Sequence, residues 1–320
     1  MKKLIAVLLA VMMLVSLTAC GGGADAKKDK YVVGVVQLVP HVALDAATQG
    51  FVDRLTEILG EENVEFDVQI AAGDSATCAP IVTDFVSKNV DLIMANATPA
   101  LQAVAAATAD IPILGTSVTE YGVAMGIENF NGTVGGNVSG TSDLAPLDQQ
   151  AAMVKEWFPD AKTVGLVYCS AEANSQYQVD TVQAFLEELG FTCKQYPFAD
   201  TNDMAAVTTD AAANSDVIYV PTDNTVASSA GILDGICQAA GVPVIAGEEG
   251  ICAGCGVATL SISYYDLGVK TAEMAAQILT GETDIATMAI AYADTFTPKY
   301  NVAICDALGI APLDGYEPIA

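Results

Sequence analysis

Histidine, tryptophan and basic residues are scarce in this sequence. It holds one His, one Trp and 12 Lys and Arg, against 39 Asp and Glu, so the formal net charge is −27. Such an acidic chain repels nucleic-acid phosphates and anionic lipid surfaces, and neither is expected as a partner. A single histidine also leaves little for nucleophilic catalysis or zinc coordination. We therefore expect no metal and no catalytic centre.

Sequence motifs of common enzymes and nucleotide-binding proteins are missing as well. The chain has no G-x-S-x-G elbow, no G-x-x-x-x-G-K-[ST] loop and no G-x-G-x-x-G fingerprint. These absences favour a binding protein without a cofactor over an enzyme. A fold class alone would not decide this question, because doubly wound folds host many enzymes.

The cysteines do not form a disulfide pattern. Seven of the eight follow Cys20, an odd number scattered along the chain. Cys252 and Cys255 form a lone C-x-x-C without the second pair that a zinc site needs. We expect most of these thiols to be small core residues.

The amino-terminal residues are typical of an export signal. Two lysines precede an apolar run from Leu4 to Leu17, which is too short for a stable transmembrane helix. The ending Leu-Thr-Ala-Cys resembles the bacterial lipobox, in which Cys20 carries the lipid. We expect a signal peptide at 1–19, a lipidated tether at 20–30 and a protein anchored to the outer face of the cell membrane. An ordinary signal peptide and a membrane anchor are the alternatives.

A strand, a short loop and an amphipathic helix open the remaining chain. Tyr31 to Val36 is an apolar, β-branched run, and apolar residues recur at helical spacing from Ala46 to Leu59. In parallel sheets, ligands bind at the carboxyl ends of strands, so residues 37–45 should line a site.

Similar βα units continue along the chain and restart after a glycine-rich segment, Gly132 to Gly140. This repetition predicts an α/β fold of two doubly wound parallel-sheet lobes with a hinged cleft. A helix from Tyr265 to Leu279 and late strands at 285–292 and 300–304 should recross between the lobes. The predicted crossovers are Gly135–Ser142 and Ser261–Ser263. The predicted lobes are 31–142 plus 263–289 and 143–262 plus 290–320.

Five stretches carry a family resemblance across the mature chain. They are residues 37–51, Ala97-Thr98-Pro99-Ala100, Gly135 to Asp143, Pro221 to Thr225, and Tyr264-Tyr265-Asp266-Leu267-Gly268. In this order they resemble bacterial ABC-transporter substrate-binding lipoproteins of the tryptophan/tyrosine-binding type. The resemblance implies a periplasmic-binding-protein type I fold, closure on a small ligand, and a permease and an ATPase on separate chains. The C-x-x-C loop departs from the family pattern.

The loops that follow the predicted strands contain ten acidic residues and no Lys or Arg. A phosphate or dicarboxylate ligand would usually require a cationic side chain there. A zwitterionic amino acid, a neutral solute or a cation is therefore expected. Tyr121, Tyr177, Tyr264 and Tyr265 offer ring surfaces for an aromatic or apolar side chain of the ligand. The loops are residues 37–45, 71–78, 96–99, 115–121, 141–146, 169–176, 199–203, 221–225 and 247–255.

Ten residues of these loops are candidate ligand contacts. The ligand carboxylate should lie on helix-start N–H groups and hydroxyls, and its ammonium group should meet Asp143 or Asp223. Thr98 is the expected cap of the helix that runs to Ala107, with Pro99 as its first residue. Thr98, Ser142 and Asp223 can be plain helix caps instead of ligand contacts, and His41 is expected to be a satisfied loop residue. The candidates are Gln37, Asp45, Thr98, Ser117, Ser142, Asp143, Asn174, Asp223, Asn224 and Glu248.

Together these observations predict a monomeric solute-binding lipoprotein. Its ligand should be an L-amino acid, with an aromatic side chain favoured, and the protein should deliver it to an ABC permease. The alternative is a sensor that presents a nucleoside or another neutral solute to a membrane receptor.

Overall fold

A computed structural model describes residues 30–319 of the chain. The predicted signal peptide, Cys20 and all of the tether except its last residue lie outside this range. Within it, no helix combines the length and apolar character needed to cross a membrane.

Strands and helices alternate through most of the described chain. The strands are β1 Tyr31–Gln37, β2 Val64–Ile70, β3 Leu92–Asn96, β4 Ile113–Val118, β5 Val138–Ser142, β6 Thr163–Cys169, β7 Thr192–Phe198, β8 Val217–Val220, β9 Val244–Ala246, β10 Ala258–Ser261, β11 Ala291–Tyr292, β12 Thr297–Tyr300 and β13 Glu317–Pro318. The α-helices are α1 Val42–Leu59, α2 Ser75–Lys88, α3 Thr98–Ala107, α4 Tyr121–Met125, α5 Leu147–Trp157, α6 Ala173–Glu188, α7 Thr201–Asn214, α8 Asn224–Ala227, α9 Ala230–Ala240, α10 Glu249–Cys255, α11 Tyr264–Leu279 and α12 Val302–Leu308. Two 3₁₀ turns lie at Glu61–Asn63 and Ile285–Thr287.

The strands form two sheets. The first has the order β11-β5-β4-β3-β1-β2 and is parallel throughout. The second has the order β13-β12-β10-β9-β8-β6-β7, in which only the β10–β12 pair is antiparallel. Each sheet has an apolar core on both faces, which is why its central strands are almost wholly buried. The two predicted doubly wound lobes are confirmed.

The chain crosses between the sheets three times, at 143–146, 262–263 and 293–296. The first crossover was predicted at Gly135–Ser142. That position is wrong, because residues 138–142 are a fully buried strand of the first sheet. Ala291–Tyr292 also pair with the first sheet, whereas the predicted boundary placed them in the second lobe. The lobe division as a whole, and its hinge motion, stay predictions.

The end of the chain differs from the predicted strand at 300–304. The strand β12 stops at Tyr300, and helix α12 begins at Val302. The side chain of Asn301 caps this helix by accepting a hydrogen bond from the backbone N–H of Ile304 at 3.2 Å. A local cap therefore overrides the apolar strand-like pattern here.

Two glycines allow helices α1 and α11 to pack closely. A Cβ atom on Gly50 would lie 2.1 Å from the carbonyl oxygen of Tyr265, and one on Gly268 would lie 2.0 Å from that of Ala47. Only glycine fits at such distances. This contact fixes the start of α11 beside the start of α1, and both helix starts face the cleft.

Candidate functional site

A small cavity, lined mostly by buried residues, lies where the two lobes meet. It is built from the carboxyl ends of strands and from the starts of the helices that follow them, as expected for this sheet type. Its lining residues are His41, Leu44, Ser117, Thr119, Asp143, Asn174, Thr222, Asp223, Asn224, Ala227, Glu248 and Tyr264.

The structure brings six of the ten candidate residues together around this cavity. They are Ser117, Asp143, Asn174, Asp223, Asn224 and Glu248. The other four, Gln37, Asp45, Thr98 and Ser142, are not among the lining residues. Ligand contact stays a prediction for all ten residues. Their hydrogen bonds within the protein nevertheless distinguish residues whose polar atoms are paired from residues that keep an unpartnered atom.

Gln37 and Asp45 bond to one another within the first lobe. The Gln37 Nε2 atom donates to Asp45 Oδ1 at 2.6 Å and to the Val39 carbonyl at 3.0 Å, and Thr48 donates to Gln37 Oε1 at 2.7 Å. Gln37 is fully buried, so these bonds satisfy its amide. Both residues hold the loop after β1 in place.

Ser142 and Thr98 are likewise not among the residues that line the cavity. Ser142 Oγ donates to the Thr119 carbonyl at 2.7 Å and accepts from Leu144 N at 3.2 Å, which shapes the first crossover. Thr98 is the first residue of α3, and the cap position before it is Ala97 with a φ of 95°. The expectation that Thr98 is the helix cap is therefore wrong.

Asp223 and Glu248 are buried helix caps whose oxygens are occupied by backbone donors. Asp223 accepts from Cys169 N at 2.7 Å and from Val226 N at 2.9 Å. Glu248 accepts from Gly250 N at 2.6 Å and from Ile251 N. Burial raises the pKa of both carboxyl groups to about 7, and the charge of Glu172 contributes to the shift at Asp223.

Glu172 is a buried carboxylate that the sequence did not distinguish from other acidic loop residues. Its oxygens accept from the backbone N–H groups of Asn224 at 3.2 Å and Thr225 at 2.9 Å. They also accept from Asn224 Nδ2 at 2.6 Å and Thr225 Oγ1 at 2.8 Å. This side chain therefore sets the start of α8 together with the Asp223 cap, and it fixes the orientation of Asn224.

Four polar atoms of the lining have no hydrogen-bond partner among residues 30–319. They are His41 Nδ1, Ser117 Oγ, Asp143 Oδ1 and Asn174 Oδ1. Buried polar atoms are nearly always paired, so such a cluster in one cavity is typical of a ligand-binding site. Unlike Asp223 and Glu248, Asp143 thus keeps one carboxylate oxygen available.

The environment of Asp143 is buried and acidic. Its side chain is buried, and Tyr264 donates a hydrogen bond to the other oxygen, Oδ2, at 3.0 Å. Burial raises the pKa of Asp143, an effect that hydrogen bonds to its side chain from Tyr264 and Thr119 oppose. Among the described residues, the lining holds Asp143, Asp223 and Glu248 but no Lys or Arg. A positively charged group on the ligand would balance this charge.

Ser117 reaches the cavity from a distorted strand end. Its φ is 54°, which is uncommon outside glycine, and the register of β4 against β5 shifts between Gly115 and Val118. Backbone of this kind persists where the surrounding structure holds it, and often at ligand sites. Ser117 thus contributes a buried hydroxyl to the cavity lining near the carboxyl end of β4.

A hydrogen bond joins the two lobes across the cavity. His41 precedes α1 in the first lobe, and its Nε2 lies 3.3 Å from Asn224 Oδ1 at the start of α8 in the second. The cleft in this structure is therefore closed. The expectation that His41 is a satisfied loop residue holds for one ring nitrogen only.

Tyr264 and Tyr265 are neighbours at the start of helix α11, and their side chains have different surroundings. Tyr264 is buried against the cavity, whereas Tyr265 is partly exposed and donates to Asp53 at 3.1 Å outside it. Sequence reasoning included both as possible ring contacts. Leu44, Thr119, Thr222 and Ala227 were missed, since small, apolar or hydroxyl-bearing side chains carry no distinctive sequence signal.

The C-x-x-C segment forms helix α10, and both thiols are buried and free. Burial is the largest cause that raises the pKa of Cys252 and Cys255 well above the usual range, so both remain protonated and unreactive. Within the described part of the chain, no group of three or more His, Cys, Asp or Glu side chains is arranged to hold a metal ion.

Comparison with known proteins assigns the family. The profile described as "ABC transporter substrate binding protein" matches residues 32–312. A tyrosine-binding protein of Clostridioides difficile strain R20291 is 35% identical over 296 residues, which cover 88% of this chain and 85% of the relative.

Two solved structures are also similar along nearly their whole length. A Streptococcus pneumonia ABC domain in complex with L-Trp has 31% identity and a TM-score of 0.86, covering 91% of this chain and 100% of that one. A ligand-free, open substrate-binding protein with adhesive properties from Clostridium difficile has 37% identity but a TM-score of 0.68, covering 90% and 99%. The lobes described here are thus arranged more as in the tryptophan complex than as in the open protein.

These matches confirm the resemblance and the periplasmic-binding-protein type I fold that were predicted from the sequence. Members of this family are extracytoplasmic binding proteins rather than enzymes. The chain belongs to the family of ABC transporter substrate-binding proteins.

Proposed function

We propose that this substrate-binding protein captures an L-amino acid, with an aromatic side chain favoured, in the interlobe cavity. It acts as a monomer and delivers the amino acid to a permease and an ATPase on separate chains. The observation that carries the proposal is the set of unpartnered acceptors in a buried, acidic cavity without Lys or Arg among its described lining residues.

The ammonium group fits the acceptors of this cavity. Asp143 Oδ1 is a carboxylate oxygen without a partner in the described chain. Asn174 Oδ1 must also be an acceptor, because Nδ2 of the same amide donates to the Thr222 carbonyl at 3.1 Å. The Ser117 hydroxyl remains as a donor for the ligand carboxylate. A zwitterion satisfies both kinds of group, whereas a sugar or a nucleoside would leave Asp143 without a counter-charge.

Two observations favour an aromatic side chain. Tyr264 and Leu44 contribute apolar surface to the cavity lining, and an aromatic ring can pack on both. The relatives with known ligands bind tyrosine and tryptophan, and they match this chain along most of its length.

A thermal-shift screen of the purified domain tests this proposal. A ligand at a hundred times its Kd stabilises the folded protein by about 2.7 kcal/mol, which corresponds to a rise of roughly 5–10 °C in melting temperature for lobes of this size. We expect such a rise with L-tryptophan, L-tyrosine or L-phenylalanine. The matched controls are their D-enantiomers, nucleosides and monosaccharides. A shift with a nucleoside or sugar, and with no amino acid, would refute the amino-acid assignment.

We further propose that Cys20 carries the lipid that anchors the protein to the outer face of the cell membrane. The proposal rests on the lipobox-like Leu-Thr-Ala-Cys sequence that follows the apolar run. Cys20→Ser should abolish palmitate labelling and leave the protein either released or unprocessed. Cys78→Ser, a change at a buried cysteine of the folded domain, should leave labelling unchanged. Equal labelling of the Cys20 variant and the wild type would contradict lipidation at this residue.

A further inference from the structure

His41 is connected to Glu172 through Asn224, and this chain of contacts fixes where the protons lie. Asn224 Nδ2 donates to the Glu172 carboxylate at 2.6 Å. Because a carboxylate only accepts, this bond identifies the other amide atom, Oδ1, as the acceptor. That oxygen is the atom 3.3 Å from His41 Nε2.

The orientation of Asn224 therefore selects one tautomer of His41. An amide oxygen accepts but does not donate, so Nε2 must carry the proton of a neutral imidazole. The second nitrogen, Nδ1, is then a bare acceptor. It is buried on the cavity lining and has no partner among residues 30–319.

The surroundings of His41 keep its ring neutral. Burial lowers the pKa of His41 below its usual value, and this is the largest influence on the group. The hydrogen bond to Asn224 and the charges of Glu172 and Asp45 oppose it without reversing the shift. A neutral ring preserves the acceptor at Nδ1, whereas protonation would put a second N–H there.

We infer that His41 Nδ1 is the third acceptor for the ammonium group of the ligand, beside Asp143 Oδ1 and Asn174 Oδ1. A primary ammonium has three N–H donors, and the cavity offers three unpartnered acceptors in addition to the Ser117 hydroxyl. His41 thus selects primary amines and couples ligand capture to lobe closure, because its other nitrogen bonds to the opposite lobe. This inference rests on the proposed function, since it concerns the ligand's ammonium.

The first test reads the imidazole directly in the presence of L-tryptophan, because the His41–Asn224 contact requires closed lobes. The chain contains a single histidine, so long-range ¹⁵N–¹H spectra of the labelled domain show one imidazole. We expect the Nε2–H tautomer, and a shift to the Nδ1–H tautomer or a mixture in Glu172→Gln, whose amide no longer fixes Asn224. A wild-type ring protonated at Nδ1, or charged at pH 7, overturns the inference.

Two variants of His41 distinguish the role of Nδ1 from the role of Nε2. His41→Gln places an amide near the former Nε2 and can keep the bond to Asn224, whereas His41→Asn places one near the former Nδ1. We expect His41→Gln to weaken L-tryptophan binding roughly ten- to a hundredfold, the effect of one charge-assisted hydrogen bond. His41→Asn should stay within about fivefold of the wild type, because it loses only a neutral bond. Equal losses in both variants, or none, contradict a ligand contact at Nδ1.

N-methyl-L-tryptophan supplies the readout that a merely structural role would not change. The methyl group removes one N–H, so wild-type binding should weaken roughly tenfold or more. In His41→Gln the same methyl group should cost little, because the acceptor for that N–H is already gone. Equal methyl effects in both proteins overturn the inference. If the wild type binds no amino acid, the proposed function fails, whereas equal methyl effects in a wild type that does bind L-tryptophan overturn only the role of His41.

Discussion

Replacing Asp143 with asparagine should weaken amino-acid binding about a hundredfold, or about 2.7 kcal/mol. The carboxylate is buried, one oxygen is held by Tyr264, and the other has no partner in the described chain. Asparagine keeps the shape but removes the charge that balances the ligand ammonium. Titration calorimetry at pH 8, where Asp143 is best ionised, measures the effect.

The same substitution should stabilise the protein without ligand. Because burial raises the pKa of Asp143, folding disfavours its charged form. That cost is absent below the unfolded pKa of about 3.9 and grows as pH rises through the folded value. The melting temperature of Asp143→Asn should therefore exceed that of the wild type at pH 8, and the difference should vanish near pH 4. Weaker binding with higher stability is not what general damage to the fold would produce.

Asp45→Asn is the matched control for this experiment. Asp45 was also a predicted ligand contact, but it is exposed, does not line the cavity and accepts a hydrogen bond from Gln37. Its substitution should change the Kd by no more than about twofold, since exposed single interactions contribute little. The assignment of the ammonium to Asp143 fails if both variants lose affinity equally, or if Asp143→Asn keeps it.

Replacing Glu172 with alanine should give the largest loss of stability, roughly 3–5 kcal/mol. The change leaves the buried backbone N–H groups of Asn224 and Thr225 without their acceptor, along with Asn224 Nδ2. A loss of this size corresponds to a fall of about 10 °C or more in melting temperature. Ligand binding should weaken as well, because Asn224 then no longer fixes His41.

Asp216→Ala provides the comparison at an exposed carboxylate. Asp216 accepts three hydrogen bonds at 2.9 Å, from Lys162 N, Thr163 N and Thr163 Oγ1, but it lies in solvent. Water can replace these bonds, so the loss should be about 1 kcal/mol. Thermal unfolding of both variants measures the difference. Similar losses of stability in the Glu172 and Asp216 variants would show that burial does not determine how much these hydrogen bonds stabilise the protein.

Sequence patterns predicted both sheets because most strands are short apolar runs followed by capped helices. Strand β5 was not predicted, since its sequence, Val-Ser-Gly-Thr-Ser, is polar and contains glycine. It is buried because its hydroxyls bond inside the first lobe, with Ser139 Oγ donating to the Met288 carbonyl at 3.0 Å and Thr141 meeting Thr271 at 2.8 Å. Partners so distant in sequence leave no local pattern.

The candidate site was predictable as a set of loops but not as a set of contacts. Strand-end position placed Asp143, Asp223 and Glu248 around one cavity. Which of them keeps a free oxygen depends on backbone N–H groups that the fold brings to Asp223 and Glu248. The importance of Glu172 and His41 likewise follows from contacts with Asn224, which lies 52 and 183 residues away in the chain.

The most direct test of this account is a crystal structure of the domain with the amino acid that the thermal screen identifies. The ammonium nitrogen should lie about 3 Å from Asp143 Oδ1, with Asn174 Oδ1 and His41 Nδ1 as its other acceptors. The carboxylate should lie at the Ser117 hydroxyl. A ligand whose carboxylate or side chain occupies the position beside Asp143, or whose ammonium contacts Asp223 instead, would contradict the account.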